Sequence, residues 1–166
     1  MQRFAQGGAG SALRANCVAL GLALVDSAYG KAAQATRVFA KGATVGYMWG
    51  IMVSEECLRD MQTGRWTERV AGEDYVTPLQ AGTWRAVATA DGTLLASEQC
   101  PMALINHSHT PSERNVSVDL SSFSAVHEPE DARWKAFPVR ATRVIGAGEQ
   151  LFADYNWTPQ QWKLAQ

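Results

Sequence analysis

Apolar residues in this chain arrive in short runs broken by glycine, proline and small polar residues, a pattern that predicts many short strands rather than long helices. Residues 18–25 form an unbroken apolar run and read as a strand, with 26–31 as the turn after it. Ahead of that run, residues 6–11 are Gln-Gly-Gly-Ala-Gly-Ser, a mobile lead-in on composition, and residues 1–15 are expected to be flexible as a whole. A second short strand is expected over 34–39, closed by Ala40-Lys41-Gly42. Residues 43–53 follow as a strand pair in which Gly46 and Gly50 mark bends or close backbone approach.

Ser54-Glu55-Glu56 has the chemistry of a helix N-cap and an acidic first turn, leading into a short helix that Thr63-Gly64 would stop. Residues 65–78 are irregular, and 83–90 with 93–96 suggest a hairpin about Asp91-Gly92. Residues 115–118 read as extended, 121–131 as loop, and 134–144 as one or two strands.

Composition narrows the class. With 166 residues, 46% of them hydrophobic and 19% charged, the chain can build one core and fits a single domain. A net charge of −1 gives no electrostatic footprint for nucleic acid. Cys17, Cys57 and Cys100 are isolated, with no Cys-x-x-Cys pair, so no structural metal is expected and the chain reads as made for a reducing, intracellular setting. The sequons at Asn106, Asn115 and Asn156 would be glycan acceptors only in a secreted β-rich domain. Arg3 and Arg14 precede the apolar residues 17–25, a run too short to span a bilayer, while the lack of acids before Asp26 leaves an organellar presequence open beside nucleus and cytoplasm.

Chemistry concentrates where Met102-Ala103-Leu104-Ile105 breaks into Asn106, His107, Ser108 and His109 ahead of Pro111. Such polar side chains after an apolar run are either a surface turn or a site, because unpaired buried amides and imidazoles are costly. A second dense stretch, residues 143–155, reads Arg-Val-Ile-Gly-Ala-Gly-Glu-Gln-Leu-Phe-Ala-Asp-Tyr, and a third, residues 30–42, reads Gly-Lys-Ala-Ala-Gln-Ala-Thr-Arg-Val-Phe-Ala-Lys-Gly, followed by Tyr47-x-x-Gly50. In order and spacing these stretches resemble the SET domain of protein lysine methyltransferases, in its minimal form without flanking cysteine clusters. The chain departs from the family pattern at Ala32, which stands for a second glycine, at Gln34 for an aromatic residue and at Gln150 for a second glutamate; in the Asn-His stretch Ala103, Ile105 and His109 replace other residues and Ser112 stands where an asparagine is expected.

The resemblance implies a mostly β fold with short helices, a β-clip of small sheets with a C-terminal pseudoknot. It would cover residues 16–157, with an insert at about 54–100 and a tail or lid over 158–166. It also implies S-adenosyl-L-methionine as cofactor, held by Lys31, Ala32, Ala33, Gln34, Asn106, His107 and Tyr155. Tyr155 would be the catalytic residue, and Tyr47, Tyr155 and Trp157 would wall a lysine channel. Ser108, Glu149 and Asp154 are expected in structural hydrogen bonds and ion pairs. The implied partner is a lysine-bearing protein or peptide such as a histone tail, in chromatin regulation, with neither nucleic acid nor membrane bound. Ala32, Gln34 and the six tryptophans suit the competing reading, a catalytically silent SET-like interaction module.

Overall fold

The computed structural model describes residues 6–28, 30–54, 86–89, 92–96, 99–121 and 134–155. The chain opens with a helix, α1 (Gln6–Leu20), where a lead-in and the start of a strand were expected. Leu13, Asn16, Cys17 and Leu20 recur at helical spacing and so share a face. Cys17 is fully buried, Leu13 and Leu20 pack on the core, and Asn16 donates to the carbonyl of Gln99 at 3.0 Å. Gly21, at φ 75°, ends the helix in the left-handed conformation, and its amide returns to the carbonyl of Val18 at 3.0 Å. The apolar run over 18–25 is therefore divided: its first part closes α1 and its second opens β1 (Leu22–Ser27).

β1 pairs antiparallel with β2 (Gly30–Ala35), and Asp26 faces Lys31 within the ladder, so the two residues expected to bound a turn belong to strands. β2 lies earlier than the strand expected over 34–39, yet Phe39 still forms an isolated antiparallel bridge with Ile145. β3 (Thr44–Val53) is one strand rather than a pair, with a register irregularity between Thr44 and Gly46. Gly46 does mark a close approach: a Cβ there would come within 2.9 Å of Leu20 Cδ1. β3 is the middle of a five-stranded antiparallel sheet ordered β4 (Ala86–Thr89), β5 (Gly92–Ala96), β3, β8 (Trp134–Ala141), β7 (Val116–Val118). The hairpin, the extended 115–118 and the strand within 134–144 thus appear where the sequence placed them. The helix expected after Ser54 lies outside the described residues.

The apolar run before Asn106 is not a strand. Pro101–Leu104 forms a 3-10 turn with its proline in the first turn, where a missing N–H costs nothing. Only then does β6 (Asn106–His107) begin, and it pairs parallel with β9 (Phe152–Ala153). Phe39, Met48, Met102, Ile105, Val139, Ile145 and Leu151 are all buried in one cluster that joins α1, the sheets and the 3-10 turn.

Candidate active site

The segment 148–153 is the spine of the site. Along one edge it is bonded to β2, with Leu151 donating to the carbonyl of Ala33 at 2.9 Å and Ala35 to that of Glu149 at 2.8 Å. Further along, Ser108 donates to the carbonyl of Ala153 at 3.3 Å. Asn115 flanks the spine: its side chain donates to the carbonyl of Gln150 and accepts from the amide of Phe152, each at 2.9 Å. Residues 106–115 therefore bracket the C-terminal segment, the kind of crossing expected of the pseudoknot. Arg114 reinforces it by donating to the carbonyl of Ser108 at 2.8 Å and pairing with Asp154, while Ser108 donates to Glu113.

The turn before the spine is fixed by Glu149. Its carboxylate accepts the amide of Gly146 and a guanidinium N–H of Arg143, each at 2.7 Å. The Gly146 amide first, and Arg143 next, hold this carboxyl below the usual glutamate range. Glu149 and Asp154 are thus engaged in structural pairings.

Tyr155 is gripped at both ends by the segment 105–107. Its hydroxyl donates to the carbonyl of Ile105 at 2.8 Å, and its backbone N–H donates to Nδ1 of His107 at 3.1 Å. The His107 ring packs 5.2 Å from the Tyr155 ring. The Asn106-His107 pair and Tyr155, far from it in sequence, are thereby brought together.

Two buried amides stand out. Nδ2 of Asn106 and Nε2 of Gln150 have no hydrogen-bond partner among the described residues. Asn106 sits opposite Phe152 in the ladder, Gln150 lies two residues before Phe152, and Gln150 bridges to Gln34. Alternation along extended chain therefore puts Ala32, Gln34, Gln150, Phe152 and Asn106 on one face. An unsatisfied buried amide costs about 1–3 kcal/mol, so two of them on one face make that face a candidate for a ligand with hydrogen-bond acceptors. Gln150 is a candidate the sequence did not single out, because it reads as a mild replacement inside a motif. Its signal was the alternation that aligns it with Asn106.

Lys31 is exposed and ion-paired with Asp26, and Gln34 donates to the carbonyl of Gly148 at 2.8 Å. Ala32 and Ala33 are fully buried in β2. Tyr47 is half-buried in β3, with its carbonyl accepting from Cys100 Sγ at 3.3 Å. Trp157 lies outside the described residues. Among the described residues no group of three His, Cys, Asp or Glu could hold a metal ion, and no helix is long and apolar enough to cross a membrane.

Residues 30–156 match the family model of the SET domain, and the chain belongs to that family. The mostly β architecture, with one α-helix among the described residues, is the family's β-clip. No curated protein sequence matches the chain. Among solved structures, CpSET8 from Cryptosporidium superposes with a TM-score of 0.52 at 18% identity, over 82% of this chain and 58% of that one. A Plasmodium falciparum protein put forward as a histone methyltransferase superposes with a TM-score of 0.50 at 11% identity, over 84% of this chain and 96% of that one. At such identities the likeness is one of fold, and the chain spans little over half the length of the first relative.

Proposed function

We propose that this chain is a protein-lysine N-methyltransferase that uses S-adenosyl-L-methionine. The observation that carries the reading, beside family membership, is the unpaired buried amide of Asn106 next to the doubly held Tyr155. When bound, S-adenosylmethionine supplies a methyl group on a cationic sulfur, transferable in line to a neutral amine. Asn106 Nδ2, and Gln150 Nε2 on the same face, would each donate to an acceptor of that cofactor. His107 contributes its place in β6, and the 31–34 stretch of β2 borders the same face.

Tyr155 does the work at the reacting end. Its hydroxyl hydrogen is committed to the carbonyl of Ile105, so toward the reaction its oxygen serves as an acceptor. An acceptor there orients an amine N–H and stabilises a methyl group as positive charge spreads over it. The ring adds an apolar wall, with Tyr47 and Trp157 as further candidate walls. The acceptor is a lysine side chain of a protein or peptide, and a histone tail in a chromatin setting fits it. One observation favours the silent interaction module instead: Ala32 is fully buried, so its methyl occupies space that the family's second glycine leaves open.

Calorimetric titration with S-adenosylmethionine on the parent chain and on Asn106→Leu separates the two readings. The enzyme reading predicts binding by the parent and roughly a five- to hundred-fold weaker affinity in the variant, one buried hydrogen bond's worth. It also predicts that the ligand-free variant is at least as stable as the parent, since an unsatisfied amide is removed. A folded parent that shows no heat at millimolar ligand would leave the interaction module.

A further inference from the structure

Resting on that reading, we infer that the His107 imidazole is a positioning residue for Tyr155, acting as its Nε2–H tautomer, and that protonation of the ring releases Tyr155. The Tyr155 amide is a donor, so the ring nitrogen 3.1 Å away, Nδ1, must be bare to accept from it. A neutral imidazole then carries its proton on Nε2, and Nε2 lies 3.3 Å from Nδ1 of His109, the two rings meeting edge to face at 76°. The bond from Tyr155 sets the tautomer, and the contact with His109 accommodates it, with Nε2–H donating to a bare His109 Nδ1.

The ring has a second partner in reserve. Asp154 Oδ1 lies 3.8 Å from the same Nδ1, and Asp154 is itself ion-paired with Arg114. Among the described residues, His109, from its own strand end, and the Tyr155 phenol, which is bonded to the carbonyl of Ile105, also face the ring. In the neutral ring Nδ1 accepts from Tyr155. Once protonated it becomes a donor opposed to the Tyr155 amide, and the carboxylate of Asp154 is the acceptor within reach. Protonation therefore exchanges a bond to residue 155 for one to residue 154. Because those residues are adjacent, the exchange moves the Tyr155 backbone and draws its hydroxyl from the geometry set by Ile105. The His107 side chain is only 7% exposed, which leaves it little room to turn any other way.

Two measurements test this. Long-range nitrogen–proton NMR at about pH 8 should find Nδ1 of His107 bare and Nε2 protonated, with the Tyr155 amide signal moving in one step with the ring as acid protonates it. The opposite tautomer, or a Tyr155 amide indifferent to the ring, would overturn the inference.

Single-turnover rates and cofactor affinities of His107→Asn and His107→Leu form the second arm. The asparagine oxygen can stand where Nδ1 stands and does not titrate. The leucine variant should lose roughly tenfold or more in rate with a cofactor Kd within about threefold of the parent. The asparagine variant should recover most of that rate at about pH 8 and lack the parent's steeper fall toward acid. Asparagine performing no better than leucine, or keeping the full acid-side fall, would overturn it. A parent that binds cofactor but transfers nothing would count against the enzyme reading, and the NMR result then decides the role of His107.

Discussion

Asn115 and Phe152 hold each other twice: the Asn115 side-chain oxygen accepts the amide of Phe152 at 2.9 Å, and the Phe152 carbonyl accepts the amide of Asn115 at 2.9 Å. With the third bond from its side chain to the carbonyl of Gln150, this buried residue does for the C-terminal spine what a neighbouring strand would do. Asn115→Leu leaves a backbone donor and an acceptor unpaired, so the expected loss is roughly 2–4 kcal/mol in urea unfolding. A loss below about 1 kcal/mol would mean that the bracket around 148–153 does not hold the fold together.

Gln150 offers a cheaper test of the shared face. Gln150→Leu should leave the unliganded protein as stable as the parent or slightly more so, because its Nε2 has no partner among the described residues. Affinity for S-adenosylmethionine should nevertheless fall by several-fold, on the order of 1 kcal/mol. Unchanged affinity would confine ligand contact to Asn106 and its immediate neighbours.

Glu149 predicts an acid-dependent contribution. Its folded-state pKa is depressed, first by the Gly146 amide and then by Arg143, so its stabilisation is full above the ordinary glutamate value of about 4.3 and is lost as pH falls through the lower folded value. Glu149→Gln should therefore be less stable than the parent at about pH 7, and the gap should close as acid protonates the parent's carboxyl. The difference should be about 1 kcal/mol or less, because both partners are well over a third exposed and screened by solvent. A gap that persists unchanged in acid would assign the effect to packing.

Chelation should not matter. Cys17 and Cys100 are fully buried apolar-core thiols, and burial pushes the Cys17 thiol up from its ordinary value. Excess EDTA is expected to leave the melting temperature unchanged, and both thiols should label only as the protein unfolds. Metal-dependent melting would overturn this.

Much of the site was legible because its chemistry is local. Asn106-His107 and the run from Gly148 to Tyr155 carry their polar residues in fixed order, and Asp91-Gly92 announced its hairpin. The N-terminal region was harder. Residues 17–25 are apolar throughout, so neither period shows inside that window, and the break lies in the backbone angle of Gly21 rather than in hydropathy. The helical spacing of Leu13, Asn16, Cys17 and Leu20 was present, though masked by the neighbouring glycines. The run before Asn106 hid its conformation for a related reason: Pro101 begins a 3-10 turn whose buried residues are, by composition, no different from a short strand. The pairing of His107 with the backbone of Tyr155 could not be read at all, because it exists only once β6 and β9 lie side by side.

The most direct test compares the parent with Tyr155→Phe in single-turnover transfer of labelled methyl from S-adenosylmethionine to a lysine-containing protein pool. Tyr155→Phe keeps the ring against His107 and removes only the hydroxyl bonded to Ile105. The account predicts transfer by the parent, a loss of roughly tenfold or more in the variant, about 1.4 kcal/mol or more of transition-state stabilisation, and cofactor affinity nearly unchanged. Equal rates in the two proteins, or a parent that binds cofactor yet transfers to no lysine in the pool, would contradict it.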